Sequence, residues 1–288
     1  MTDDDALVLG AVAYDAKVVT IWDGFKAWFA ERGLPFDYVL YTTYERQVDA
    51  HLAGHVDVAW NSPLAWVQAR RVAAARGKAA KALVMRDTDR DLTTAFVVRA
   101  DAKHRSLGDL RGATIGVGAA DSPQASLLPL AHLQRAGLAP RDLEVVWHDR
   151  LVGKHGDHIG GERDAAKALL RGDVDAACVL DANLLLFGRD GTWPAGSVRV
   201  LETTGRYDHC NMTVLEAPGA APDPHLGRFS GLLLSMDYED PSVRHLLDLE
   251  GLKAWKPGRT EGYAPLEEAV DRLGTLQGWL AARGVPGP

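Results

Sequence analysis

Two turns of this chain carry the same device. Asn61-Ser62-Pro63 and Asp121-Ser122-Pro123-Gln124 each place a serine where a helix is capped and a proline in the first helical turn. A helix opened this way offers unpaired backbone N–H groups and the positive end of its dipole, a combination suited to an anion. Two such ends would hold a phosphate, phosphonate, sulfonate or carboxylate with neutral donors alone. Further candidates stand at or just beyond predicted strand ends: Tyr14, Trp60, Asn61, Asp121, Gln124 and Asp181. Aromatic rings at Tyr14 and Trp60 would wall an organic ligand, while the polar groups would orient it.

Other stretches suggest different chemistry. His155-Gly156-Asp157-His158, followed by Glu162, has tolerable metal-ligand spacing, yet zinc wants three or four firm ligands and no Cys or His pair lies nearby in sequence. No metal is expected there. His209-Cys210 pairs a thiol with an imidazole, which would favour thiolate. Neighbours on a strand point to opposite faces, so a packed cysteine is the expected role. Gly116-x-Gly118 follows a strand, but Asp121 occupies the third glycine position of a dinucleotide fingerprint and would repel a pyrophosphate. No cofactor is expected. Were the chain an enzyme, His155, His158, His209 and Cys210 would be its candidate catalytic groups.

Composition narrows the classes. At 288 residues the chain suggests two domains or one large α/β unit, and 47% hydrophobic with 25% charged residues is ordinary globular usage. A net charge of −7 disfavours broad nucleic-acid or anionic-membrane binding. Two cysteines cannot build a disulfide framework. Met1-Thr2-Asp3-Asp4-Asp5 is acidic where a secretory leader is basic, and no run is long enough to cross a bilayer. The expectation is a cytoplasmic chain that is not membrane-embedded, with a periplasmic or extracellular place only if a leader was removed.

Strand-like and helix-like segments alternate throughout. Leu7–Ala13 reads as a buried strand, and Val18–Arg32 has helical spacing that stops at Gly33. Phe36–Tyr41 and Val56–Trp60 read as strands, Glu45–Ala53 and Leu64–Ala75 as helices. The pattern restarts with strands at Ala113–Val117, Leu143–Trp147 and Val174–Val179, and helices at Pro123–Ala136 and Glu162–Arg171. This predicts α/β architecture with parallel sheets covered by helices, and Asp181-Ala182-Asn183 as a loop beyond a strand. One internal repeat stands out: His51-Leu52-Ala53-Gly54-His55-Val56-Asp57-Val58-Ala59 aligns with Leu169-Leu170-Arg171-Gly172-Asp173-Val174-Asp175-Ala176-Ala177. Two similarly built lobes follow, with Thr93–Arg99 and Cys210–Leu215 as strands crossing a hinge.

These strings carry a resemblance. Gly54-x-Val56-Asp57-x-Ala59, running into Trp60-Asn61-Ser62-Pro63, resembles the first-lobe signature of phosphonate/phosphate/phosphite-type solute-binding proteins of ABC transporters. Ser106-Leu107-x-Asp109-Leu110-x-Gly112 is similar to that family's opening of lobe two, and Ala168-Leu169-Leu170-x-Gly172-x-Val174-Asp175-Ala176-Ala177 to a segment followed by an aspartate, here Asp181. The resemblance implies a two-lobe class II periplasmic-binding-protein-like fold, with a ligand cleft at a two-strand hinge. It would divide the chain into 1–98, 99–206 and a return segment 207–288. It implies capture of a small anionic solute by hinge closure, with an ABC permease or an intracellular regulatory target as partner. It also implies a ligand-facing histidine shortly before the Glu162 helix, either His155 or His158. An enzyme built on the same fold and acting on a small organic acid stays open as the alternative.

Overall fold

The computed structural model describes residues 6–156 and 160–285. Along the chain run β1 (Leu7–Val12), α1 (Lys17–Glu31), β2 (Phe36–Tyr41), α2 (Tyr44–Leu52), β3 (Val58–Asn61), α3 (Pro63–Ala75) and β4 (Ala79–Arg86). Next come β5 (Thr94–Arg99), β6 (Thr114–Val117), α4 (Leu128–Arg135), β7 (Glu144–Trp147), α5 (Gly160–Arg171), β8 (Ala176–Leu180), α6 (Asp181–Arg189) and β9 (Val198–Thr203). β10 (Asn211–Glu216), α7 (Pro224–Leu234), α8 (Pro241–Glu250), β11 (Trp255–Pro257), α9 (Ala264–Leu273) and α10 (Gln277–Ala281) follow. Two units result: unit 1 is Met1–Arg90, Asp208–Gly262 and Gln277–Pro288, and unit 2 is Asp91–Tyr207 and Tyr263–Leu276. Among the described residues no helix is long and apolar enough to cross a membrane.

Each unit has its own sheet, and the two sheets repeat one plan. In unit 1 the order is β11-β4-β10-β3-β1-β2, and in unit 2 it is β7-β6-β8-β5-β9. β1 pairs parallel with β2 and β3, as β6 does with β7 and β8. The parallel sheets expected from the sequence are mixed, because β10 runs antiparallel to β3 and β4, and β5 antiparallel to β8 and β9. β5 lies wholly in the sheet of unit 2 and β10 wholly in that of unit 1. The chain changes unit just outside them, at Arg90–Asp91 and Tyr207–Asp208.

The sequence repeat now has a physical account. Gly54 and Gly172 take φ of 79° and 81°, the left-handed conformation that ends a helix at little cost for glycine. After each, an aspartate clamps the start of a neighbouring parallel strand, β1 in unit 1 and β6 in unit 2. Asp57 accepts from the Val8 N–H at 2.8 Å and Asp175 from the Thr114 N–H at 3.0 Å. The valine before each aspartate lies on a strand glycine. A Cβ at Gly10 would sit 3.2 Å from Val56, and one at Gly116 would sit 3.2 Å from Val174.

The core of unit 1 forms around α1, whose Val18, Ile21, Trp22, Phe25, Trp28 and Phe29 are buried at helical spacing. Phe29 meets Phe36 at 4.8 Å and Phe229 at 5.2 Å between ring centroids. In unit 2, α9 buries Leu266, Ala269 and Val270, and its Glu268 pairs with Arg135 of α4 at 3.1 Å. Within the segment 207–288, residues Tyr263–Leu276 group with unit 2. The periodicity of α9 reveals a buried face but not which sheet that face will cover. β4, β9 and β11 were not anticipated. Asp181-Ala182-Asn183 is not a loop, since α6 begins at Asp181 directly after β8.

Burial also sets an acid sensitivity. His51, near the end of α2, is 4% exposed, and burial pushes its imidazole down to about 4 from an ordinary 6.5. The folded state therefore keeps His51 neutral where the unfolded chain takes up a proton. Stability should fall as pH drops from about 6.5 towards about 4, by up to about 3 kcal/mol, and be insensitive to this group below that window. His51→Gln removes the titration. Denaturation curves at pH 7 and pH 4.5 should show a smaller pH effect in the variant, and an equal effect in both proteins would refute the assignment.

Candidate functional site

In unit 1 the first Ser-Pro turn joins β3 to α3. Ser62 has extended backbone (φ −64°, ψ 165°), its Oγ accepts from the Ala65 N–H at 3.1 Å, and Pro63 follows. Behind it runs a buried chain of side-chain hydrogen bonds. Gln47 Nε2 donates to the Trp60 carbonyl at 3.0 Å and to Asn61 Oδ1 at 2.8 Å. Asn61 Nδ2 donates to Thr213 Oγ1 at 2.8 Å, and the Thr213 hydroxyl donates to Asn211 Oδ1 at 2.7 Å. Gln47, Asn61, Asn211 and Thr213 are each fully buried, so the relay locks the amide orientations beside Ser62. Trp60 lies in the core, edge-on to Trp255 at 5.9 Å and under the Arg86 guanidinium at 5.1 Å. Tyr14, at the end of β1, is half-buried with the Lys17 ammonium 5.7 Å from its ring centre.

In unit 2 the second Ser-Pro turn joins β6 to α4. Ser122 Oγ accepts from the Ala125 N–H at 3.2 Å. The helix predicted over Pro123–Ala136 does not start as an α-helix: Pro123–Leu127 is wound wide, and the Leu127 N–H reaches the Ser122 carbonyl at 3.0 Å. Such π-turns are rare and concentrate at functional sites. Ser126 Oγ, in the same turn, is buried and has no hydrogen-bond partner among the described residues. Gln124 Nε2 donates to the Gly156 carbonyl at 2.5 Å, and its own carbonyl accepts from the Thr94 hydroxyl at 2.7 Å. Thr94 also meets the buried Tyr207 hydroxyl at 2.9 Å.

The carboxylates of unit 2 are tied to backbone. Asp121 Oδ2 accepts from the Gly153 N–H at 2.5 Å. Asp181 accepts from the Thr93 N–H at 3.2 Å, the Thr93 hydroxyl at 3.0 Å and the Ala182 N–H at 2.7 Å. Glu162, which the sequence raised only as a metal ligand, accepts from the Leu180 N–H at 2.8 Å and Asn183 Nδ2 at 3.0 Å. It fastens α5 to the β8–α6 turn. Cys178 in β8 is buried, and burial, with Glu162 nearby, pushes its thiol well up from the ordinary range. His155 is fully buried with φ of 50°, while His158 and Asp157 lie outside the described residues.

Strand alternation does not require His209 and Cys210 to touch, yet His209 Nδ1 lies 3.1 Å from Cys210 Sγ, and Cys210 is packed in the core of unit 1. Both residues precede β10, so strand alternation does not govern them. Next to them, Asp208 is gripped by Arg259 through two hydrogen bonds of 2.6 Å. Gln47, Thr94, Tyr207, Asn211 and Thr213 were not singled out from sequence. They are isolated polar residues on separate elements, and only the fold brings them to these turns.

A sequence profile described as "ABC transporter, phosphonate, periplasmic substrate-binding protein" matches residues 11–263. Comparison with curated proteins finds no match. Among solved structures, PhnD1 from Prochlorococcus marinus in complex with methylphosphonate superposes with a TM-score of 0.68 at 17% identity, covering 94% of this chain and 98% of that one. A Xanthomonas citri protein bound to ATP gives 0.68 at 20% identity over 95% and 98%. The periplasmic aliphatic sulphonate binding protein SsuA from Escherichia coli gives 0.55 at 18% identity over 98% and 94%. At these identities the likeness is one of fold.

Proposed function

We propose a small oxyanion as the cargo of this chain, which belongs to the family of periplasmic substrate-binding proteins of phosphonate ABC transporters. The observation that carries the reading is the repeated Ser-Pro cap, once in each unit, at the end of a central-sheet strand. Each cap collects short-range donors and a helix dipole on one spot without a fixed cation. From unit 1 we assign Ser62 and Tyr14 to the ligand, and from unit 2 Ser122, Ser126 and His155. Asn61 and Gln124 act behind them, since their amides are engaged by Thr213, Gln47 and Gly156. Trp60 serves packing. Asp121 and Asp181 shape the loops of unit 2 through the backbone groups they hold.

Similar folds hold methylphosphonate and ATP, and another is named for aliphatic sulphonates, so tetrahedral oxyanions are the class to test first. An ABC permease is the proposed partner, and the outer face of the membrane the proposed place of work. Reversible capture accounts for the caps with no chemical step, which is why we favour it over the enzyme alternative.

Calorimetric titration with methylphosphonate, phosphate, phosphite and methanesulfonate tests the reading. One of them should bind with one equivalent per chain and raise thermal stability, by about 2.7 kcal/mol at a hundredfold excess over Kd. Ser62→Ala and Ser122→Ala should each weaken that binding at least about tenfold. Loss of a cap also costs about 1 kcal/mol of stability. Thr43→Ala, which removes the cap of α2 at the Arg46 N–H, controls for this and should bind normally. No binding across the panel, or serine variants that bind like the parent, would sink the proposal.

A further inference from the structure

The geometry points to a second site, wholly in unit 1: Asp89, His209 and Cys210 form a three-ligand seat for one divalent transition-metal ion of the zinc type. His209 Nδ1 lies 3.1 Å from Cys210 Sγ and 3.5 Å from Asp89 Oδ1, and all three donor atoms lie within 4.8 Å of one another. Tetrahedral zinc with ordinary bond lengths sets its sulfur and nitrogen ligands about 3.6 Å apart and its nitrogen and oxygen ligands about 3.3 Å apart. The observed spacings need only small adjustment. Thiolate, imidazole and carboxylate together match zinc and its neighbours and suit calcium or magnesium poorly.

The surroundings are built as an outer shell. The His209 N–H donates to the Asp89 carbonyl at 2.7 Å, which pins the two ligand-bearing segments together. Arg86 forks onto Asp89 through Nε at 2.6 Å and Nη2 at 2.9 Å, fixing the carboxylate's orientation. Its Nη1 is held by the Glu250 carbonyl at 2.9 Å and carboxylate at 3.3 Å. Charge favours the ion as well. Arg86 faces two buried carboxylates, Asp89 and Glu250. A divalent ion bound to the Cys210 thiolate adds positive charge beside them. As the metal–sulfur bond forms, the thiol proton leaves to solvent, with no change of oxidation state. Three protein ligands leave a fourth position for water.

The test uses the full chain without an affinity tag, stripped by chelator and kept free of phosphate. Co2+ is titrated in place of Zn2+ while near-ultraviolet thiolate-to-cobalt absorption is followed. The expected result is one equivalent bound, a charge-transfer band that saturates with it, and loss of the band when Zn2+ is added. Cys178→Ser should keep the band, Cys210→Ser should abolish it, and His209→Gln should weaken Co2+ binding at least tenfold. Only two cysteines exist in the chain, so a band in Cys178→Ser comes from Cys210 even if the other variants do not fold. No band at millimolar Co2+, or a band that survives Cys210→Ser, overturns the assignment. The outcome is independent of whether an oxyanion binds at the serine caps.

Discussion

Arg86→Met is expected to destabilise unit 1 by about 3–5 kcal/mol at pH 7, the cost of leaving a buried charge without its partner. The residue sits between two buried carboxylates, Asp89 at 2% and Glu250 at 6% exposure. Burial alone would raise the Asp89 carboxyl, but Arg86 and His209 outweigh it and hold the group at about 2. A carboxyl lowered in the folded state stabilises the fold above its unfolded value of 3.8, and that contribution is lost as pH falls through about 2. Removing Arg86 should reverse the shift, so that the variant's deficit shrinks as the pH falls towards 4 and its carboxylates take up protons. Chemical denaturation at pH 7 and pH 4, with chelator present, measures both values. Adding Asp89→Asn should recover part of the loss at pH 7. A deficit below about 1 kcal/mol, or one that does not vary with pH, would show that these charges are not coupled as the geometry requires.

Gly156→Ala should damage ligand capture more than any single serine substitution. Gly156 takes φ of 71°, where a side chain costs about 1–2 kcal/mol. A Cβ there would stand 2.2 Å from Ser122 Oγ, 2.9 Å from Ser122 Cβ and 2.8 Å from Gln124 Nε2. Real contacts never close to that distance, so the cap on Ala125 and the Gln124 bond to the Gly156 carbonyl must both give way. The expected result is oxyanion affinity reduced well beyond tenfold, together with a lowered melting temperature. Gly137→Ala separates the two causes. Its φ of 85° carries the same backbone cost, but a Cβ there meets nothing within 4 Å. That variant should lose stability and bind normally. If it loses affinity as well, or if Gly156→Ala binds like the parent, the Ser122 turn is not the anion seat.

Much of this architecture is written locally. The α1 stripe from Val18 to Phe29, the left-handed glycines at Gly54 and Gly172 and the two Ser-Pro caps depend on spacing and backbone preference over a few residues. For that reason the α/β class, the two-lobe repeat and both capped turns could be read from sequence alone. The family strings are of the same kind, because Gly-x-Val-Asp encodes a helix stop, a packed valine and a strand clamp in consecutive positions.

Other features depend on which segments meet. That β5 and β10 run antiparallel, that α9 packs on α4, and that β4, β9 and β11 complete the sheets are outcomes of pairing between distant segments. The Gln47–Asn61–Thr213–Asn211 relay draws on side chains between residues 47 and 213, and of these only Asn61 carries a local signal. The Asp89–His209–Cys210 cluster is hidden for the same reason. His209-Cys210 was visible as a pair, but its carboxylate comes from 120 residues earlier and its outer shell from Arg86 and Glu250. Local sequence determined the caps, the stripes and the repeat, since backbone conformation and burial pattern repeat over one or two turns. Tertiary structure decided the partners of each polar side chain, because hydrogen bonds and charges act over a few ångströms in space, whatever the distance along the chain.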